Sequence, residues 1–253
     1  MNSTVEIMDI PIVNMEWNKF VDICKERLFK KEKTVIYTPN PEVVMLAEKD
    51  KKFKDALLRA DYCTPDGIGL IYAAKIRKKP LKGRITGFNL SIELLKIAQE
   101  NNYSVYLLGA KKGYCEMAKE NLVKKYHGLN IVGYHHGYFK GLHTGYKNHD
   151  EEKKVIQDIK MKKPDIIFVG FGAPKQELWI DTYHKELPAT LFIGNGGTID
   201  ILSGNVKNTP EFIRKMGFEW LYRLCKNPER IKRQMVLPKF LIRMLFSRKT
   251  LVK

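Results

Sequence analysis

An α/β fold, with a parallel sheet covered by helices on both faces, is predicted by three features of this 253-residue chain. Short apolar runs rich in β-branched residues alternate with helix-length amphipathic patterns, the arrangement that a parallel sheet with crossover helices requires. Most of the runs end in Gly, Asn or Thr-Pro and pass directly into a helix pattern. The chain also shows no repeat and no low-complexity segment, and at 44% hydrophobic residues it can bury a full core.

The strands are expected at residues 34–37, 104–108, 130–134, 165–169 and 190–193. The helices are expected at 41–49, 90–101, 114–126, 151–160 and 175–184, where apolar residues recur at helical spacing. Residues 140–150, with Gly141, His143, Gly145 and Asn148, have the composition of a surface loop. One clear composition shift falls near Pro210 and divides an α/β core, residues 1–210, from an appendage, residues 211–253.

The appendage holds 12 Lys and Arg against 3 acids, so it supplies +9 of the formal net charge of +17. Trp220, Leu221, Tyr222, Leu237, Phe240, Leu241, Ile242, Leu245 and Phe246 are interleaved with those cations. Arginines among large apolar residues suit a surface that meets anionic headgroups and acyl chains, or one that closes over a phosphorylated ligand. Pro228 and Pro238 divide the appendage into short helices. No window approaches the roughly 20 uncharged apolar residues of a spanning helix, and the first residues lack the basic and apolar regions of a signal peptide, so an uncleaved cytoplasmic protein is expected. Cys24, Cys63, Cys115 and Cys225 are scattered without a CxxC pair, and read as reduced structural thiols. His135-His136 lacks a partner at metal-ligand spacing, so no metal site is expected.

In a parallel sheet, ligands sit beyond the carboxyl ends of the strands. The unusual residues of this chain cluster at those ends: Thr38-Pro39-Asn40-Pro41, Gly109 to Gly113, Gly170-Phe171-Gly172-Ala173-Pro174-Lys175-Gln176-Glu177 and Gly194-Asn195-Gly196-Gly197-Thr198. The last is a glycine-rich turn from a buried strand into a helix, whose N–H groups can approach an anion, although the spacing is neither that of a P-loop nor GxGxxG. A tight structural turn accounts for it equally well. Gln176 can hydrogen-bond a sugar or phosphate, while Glu177 is explained as a first-turn carboxylate favoured by the helix dipole.

Thr64-Pro65-Asp66-Gly67-Ile68-Gly69 places Asp66 in a Pro/Gly turn, where an Asp commonly bonds its own backbone. Arg84, followed by Thr86-Gly87, can present a cation to a phosphate. No DxD motif occurs, so the carboxylate pair through which many nucleotide-sugar transferases hold a divalent metal is missing. A departing diphosphate would then need protein cations. Arg223, Arg230 and Arg233 share one face of any continuous helix, and their guanidiniums match a diphosphate.

These motifs together, with Ala60-Asp61, Arg84-Ile85-Thr86-Gly87 and Gly217-Phe218-Glu219-Trp220-Leu221-Tyr222-Arg223-Leu224, resemble the WecG/TagA/CpsF glycosyltransferase family, in order and over nearly the whole chain. The resemblance implies a Rossmann-like parallel sheet with helices on both faces and a basic helical C-terminal appendage. It implies an inverting, metal-independent transferase without a cofactor. TagA-like members move N-acetylmannosamine from its UDP form to the 4-hydroxyl of N-acetylglucosamine on undecaprenyl diphosphate, the first committed step toward wall teichoic acid linkage units.

By the same resemblance Asp66 is the base, with Thr38, Asn40, Arg84 and Gln176 around the sugar and phosphates. Gly172, Gly194, Asn195 and Gly196 fall in the substrate loops, Asp200 meets the uracil, and Arg223, Arg230 and Arg233 are the appendage cations. The implied partners are a UDP-sugar donor, a polyprenyl-diphosphate-linked acceptor, an anionic membrane surface at the inner face of the cell membrane, and further copies of the chain. Other members use donors such as the uronic acid of N-acetylmannosamine, which would ask for one more cation near the sugar.

Two readings of other classes compete. Clustered Lys and Arg would suit a nucleic-acid backbone. No helix-turn-helix, zinc-finger or ribonucleoprotein signature accompanies them, and the large aliphatic residues of the appendage suit lipid better, so no nucleic-acid partner is expected. A nicotinamide-dependent oxidoreductase is suggested only by the α/β pattern, and the chain lacks an early GxGxxG followed by an acid about 20 positions later.

Overall fold

A computed structural model describes residues 3–226 and 235–246. Eight strands form one sheet in the order β1-β2-β4-β3-β8-β7-β5-β6. These are β1 (Thr4–Ile7), β2 (Ile10–Val13), β3 (Thr34–Tyr37), β4 (Tyr62–Cys63), β5 (Ser104–Gly109), β6 (Asn130–His135), β7 (Ile166–Gly170) and β8 (Leu191–Gly194). Only the β1–β2 pair is antiparallel; every other pairing in the sheet is parallel. The α/β architecture expected from the strand and helix alternation is therefore the one observed.

The helices over the body are α1 (Trp17–Phe29), α2 (Pro41–Ala47), α3 (Lys51–Leu58), α4 (Ile68–Ile76), α5 (Gly87–Glu100), α6 (Tyr114–Lys125), α7 (Asp150–Lys162), α8 (Lys175–Tyr183) and α9 (Thr198–Leu202). They divide the core into two layers because strand side chains alternate between faces. Tyr37, Leu108, Ile167, Val169 and Phe192 face one way, into a cluster with Val44, Phe53, Leu70, Val155 and Trp179 from α2, α3, α4, α7 and α8. Ile36, Leu107, Phe168, Leu191 and Ile193 face the other way, onto Phe20, Leu94, Ala118 and Ile199 from α1, α5, α6 and α9. Both faces are dry, so the central strands are apolar at successive positions rather than at alternate ones.

Helix starts follow local chemistry. Asn40 caps α2 by accepting from the Glu42 and Val43 N–H groups, Asp50 caps α3 at the Phe53 N–H, and Thr86 caps α5 at the Asn89 N–H. Among the described residues, three further helices follow: α10 (Glu211–Lys215), α11 (Glu219–Lys226) and α12 (Val236–Phe246). Pro238 sits in the first turn of α12, where its missing N–H is tolerated. The helix lies on α2 and α4, burying Phe240 and Met244 completely, and Arg243 pairs with Glu48 at the end of α2.

The loop at residues 140–150 contains a short 3-10 turn, Leu142–Thr144, and buries His143. Cys24, Cys63 and Cys115 are free and buried, and burial pushes each thiol up to about 12; Cys225 is free and exposed.

Candidate active site

The carboxyl ends of four neighbouring strands lie in register: Cys63 is paired with Tyr37, Tyr37 with Gly194, and Gly194 with Val169. That alignment sets the loops after β4, β3, β8 and β7 side by side, and these loops hold Asp66, Thr38 and Asn40, Asn195 and Gly196, and Gly172. The fold thus assembles segments that are more than a hundred positions apart in sequence.

Asp66 is held by the loop after β3, by the start of α5 and by Arg84. Its N–H donates to the Pro39 carbonyl at 3.0 Å, which ties its loop to that of Asn40. Its Oδ2 accepts from the Gly87 N–H at the start of α5, at 3.3 Å. Its Oδ1 lies 3.5 Å from Arg84 Nη2. Gly67 then turns the chain into α4 with φ +92, a conformation that a side chain would strain. The carboxylate is left 28% exposed, so it is anchored and still reachable.

Arg84 is enclosed, at 18% side-chain exposure, and its Nη2 donates at 2.6 Å to Glu219 Oε2 on the first turn of α11. Burial works against the guanidinium charge, but Asp66 and then Glu219 outweigh it and hold the group above its ordinary pKa. One fixed cation therefore joins the core carboxylate to the appendage.

Thr38 Oγ1 donates to the Gly194 carbonyl at 3.2 Å, and the Cα of Gly87 packs so closely that a Cβ there would lie 2.9 Å from Thr38 Oγ1. Asn40 spends its Oδ1 on the α2 cap, which leaves the amide nitrogen as the atom able to reach a ligand. Gln176 is buried. Its Oε1 accepts from the Gly172 and Gly196 N–H groups, both at 3.0 Å, while its Nε2 donates to Glu177 Oε1 at 2.9 Å. The glycine-rich turn, read from sequence either as an anion cradle or as a tight structural turn, has its Gly196 N–H already engaged by Gln176.

Asn195 is buried, and its Nδ2 donates to Ser91 Oγ at 2.8 Å; Ser91 donates onward to the Gly87 carbonyl. Asp200 is partly exposed on α9, within 3.5 Å of where a Cβ on Gly197 would stand. Arg223 belongs to α11, whereas Arg230 and Arg233 lie outside the described residues. The structure therefore groups Thr38, Asn40, Asp66, Arg84, Gln176, Gly172, Gly194, Asn195 and Gly196 around the carboxyl ends of the central strands.

Glu177 does stand in the first turn of α8, as expected, but it is buried there and not exposed. It is 2% exposed, its Oε2 has no hydrogen-bond partner, and burial pushes its pKa up to about 7. Three more residues contact this group or its loops in ways that the sequence does not specify. Ser91 is a mid-helix serine whose bond to Asn195 spans 104 positions; Glu219 reaches Arg84 across 135; His143, from the 3-10 turn, stacks on Phe171 with ring centroids 4.1 Å apart.

Among the described residues, no group of three or more His, Cys, Asp or Glu is placed to hold a metal ion, and no helix is long and apolar enough to cross a membrane.

A family model described as Glycosyl transferase WecG/TagA/CpsF family matches residues 5–253. The chain belongs to this family and is a glycosyltransferase. It is 34% identical over 247 residues to the N-acetylglucosaminyldiphosphoundecaprenol N-acetyl-beta-D-mannosaminyltransferase of Bacillus subtilis (strain 168), covering 97% of this chain and 93% of that protein. The protein of the same name from Bacillus spizizenii is 33% identical over 243 residues, with 96% and 91% covered. That from Staphylococcus aureus (strain MW2) is 35% identical over 218 residues, with 86% and 82% covered.

Proposed function

We propose that this chain transfers N-acetylmannosamine from UDP-N-acetylmannosamine to the 4-hydroxyl of N-acetylglucosamine on undecaprenyl diphosphate, with inversion and without a metal ion. The observation that carries the reading is the fixed and accessible Asp66 carboxylate beside Arg84, in a chain whose relatives bear the name of that transferase.

In a single displacement, Asp66 accepts the proton of the acceptor 4-hydroxyl as its oxygen bonds to C1 of the donor sugar, and the bond from C1 to the UDP oxygen breaks. The electron pair leaves with UDP, whose developing charge must be met by cations. Arg84 is one candidate, and Arg223, Arg230 and Arg233 are the others. Thr38, the Asn40 amide nitrogen and the loops at Gly172, Gly194, Asn195 and Gly196 border the sugar and phosphates, with Gln176 holding two of those loops together. Asp200 is assigned to the uracil.

Residues 211–253 form a site-completing and membrane-binding appendage in this reading. Ile242, Leu245 and Phe246 are exposed on α12 beside Lys239 and Arg243. Each Lys or Arg near an anionic leaflet contributes about 1 kcal/mol, enough for several cations with a few apolar side chains to hold the enzyme reversibly. The protein then works as a peripheral, oligomeric enzyme on the inner face of the cell membrane, where the lipid-linked acceptor is presented.

The test is UDP release from UDP-N-acetylmannosamine with a lipid-diphosphate N-acetylglucosamine acceptor, in EDTA, for the native chain and Asp66→Asn. Acceptor-dependent release that falls by about 10²–10⁴ in the variant is the expected result. Equal activity in both would remove Asp66 as base, and no release by the native chain would remove this donor and acceptor.

A further inference from the structure

The appendage brings a negative charge to the site. Arg84 Nη2 serves two carboxylates at once, Glu219 Oε2 at 2.6 Å and Asp66 Oδ1 at 3.5 Å. All three side chains are largely enclosed, at 18%, 17% and 28% exposure for Arg84, Glu219 and Asp66. The shorter contact is the stronger hydrogen bond, while the Asp66 charge still acts strongly on the guanidinium, so one cation is shared between two acids.

We propose that Glu219 is a positioning residue that keeps Asp66 a competent base by drawing the Arg84 guanidinium away from it. The inference rests on the reading of Asp66 as base given above and adds to it an acid from the appendage. Two effects of Glu219 act with the same sign. It competes for the cation that would otherwise stabilise the Asp66 carboxylate, and its own negative charge nearby disfavours a second one. Asp66 is faced by Arg84 from the segment between α4 and α5, by Glu219 from α11 across that guanidinium, and by the Gly87 N–H from α5. Arg84 and the Gly87 N–H both favour the ionised form of Asp66, and the Glu219 charge opposes them.

The backbone before Glu219 supports delivery of that charge by docking. Gly217 turns the chain with φ +81, and a Cβ there would stand 3.2 Å from Ile68 Cγ1, at the first residue of α4 and two residues beyond Asp66. The turn that presents Glu219 is thus seated against the helix that begins at the base. On the other side, α12 rests on α2 and α4, the two helices that start beside Asn40 and Asp66. With the appendage in place, Arg84 is shared. With it displaced, Arg84 is free to close on Asp66 as a two-point guanidinium–carboxylate pair, the geometry that holds a carboxylate most strongly ionised. Docking then changes the strength of the base as well as the supply of phosphate-binding cations.

The experiment uses the full chain in three forms: native, Glu219→Gln and Glu219→Asp. The Asp66 carboxyl is titrated by ¹³C NMR, with its signal assigned through Asp66→Asn, and the acid limb of the kcat/KM profile is followed in parallel. Glu219→Gln is expected to lower the Asp66 pKa by about one unit or more, to move the acid limb to lower pH by the same amount, and to reduce kcat about tenfold at neutral pH. Glu219→Asp, which keeps the charge, is expected to return the Asp66 pKa most of the way to the native value.

An unchanged Asp66 pKa in Glu219→Gln overturns the proposal, and so does an Asp variant that behaves like the Gln variant, because the effect would then be one of shape and not of charge. The NMR titration needs no turnover. A native chain with no transferase activity would refute the proposed reaction while leaving the Glu219 to Asp66 coupling measurable, and a shifted Asp66 pKa with an unmoved acid limb would refute Asp66 as base.

Discussion

Glu177→Gln tests the buried acid behind the site. Glu177 is enclosed in the core, hands one oxygen to Gln176 and leaves the other without a partner. Its pKa is raised from an ordinary 4.5 to about 7. A raised acid pKa means that folding favours the protonated form. Its contribution to stability is therefore fully present below about pH 4.5 and is lost as the pH rises to about 7, because the unfolded chain releases this proton first.

The shift corresponds to about 3 kcal/mol, at roughly 1.4 kcal/mol per unit. Gln is isosteric with the protonated acid and offers Gln176 the same acceptor, so Glu177→Gln should remove the pH-dependent loss with little other effect. Urea unfolding of both proteins from about pH 4 to pH 8 is the assay, and the expected result is coincidence at the acid end and a variant more stable by about 3 kcal/mol at the alkaline end. Parallel curves over that range would mean that Glu177 carries its charge in the folded protein, and the argument from burial would fail.

Asn40 separates a structural task from a chemical one. Asn40→Ala should cost about 1 kcal/mol through loss of the α2 cap, whereas Asn40→Asp should retain the cap and that stability. If the amide nitrogen binds substrate, Asn40→Asp will nonetheless raise KM or lower kcat, and full activity at native stability would confine Asn40 to capping. Phe240→Ala removes the largest side chain that α12 buries, a change that costs about 3–5 kcal/mol in a core. Here the expected outcome is local: faster proteolysis within α12 and an unfolding midpoint of the body that scarcely moves. A drop in the midpoint matching the full cost, without new cleavage, would make α12 part of the cooperative body.

The central sheet is legible in the sequence because strands buried on both faces are apolar at every position, as in Val105 to Leu108 and Ile166 to Val169. The β1–β2 hairpin is not. Its turn is made by Met8 and Asp9 at φ 52 and 64, without the Asn-Gly or Asp-Gly signature that marks such turns. Strand β4 is two residues long, and α1 starts after Glu16, which makes no side-chain cap. Asp50, by contrast, is a recognisable cap for α3, so that helix could have been placed.

At the site, Asn40 and Gln176 stand out as polar residues in the segments after strands, Asp66 as a carboxylate in a Pro/Gly turn and Arg84 as a cation before Thr86-Gly87. What the sequence does not convey is which polar atoms are already engaged. Gln176 spends its carbonyl on two glycine N–H groups, Asn40 spends its carbonyl on a cap, and Glu177 is turned inward. Glu219 stands in the Gly217 to Leu224 motif, but its pairing with Arg84 becomes apparent only once α11 is laid against that residue.

Strand β8 is the last to be synthesised and it lies in the middle of the sheet, between β3 and β7. A chain that ends before it leaves β3 and β7 as two further open edges beside those of β1 and β6, each presenting unpaired backbone groups to any neighbouring chain. Insertion of β8 seals both edges in one step, and the same step brings Gly194 against Thr38 and Gly196 against Gln176. Pairings of such long sequence separation form slowly. On the ribosome, protection from aggregation and possession of a binding cleft therefore arrive together, and a nascent chain gains neither until the residues of β8 have emerged.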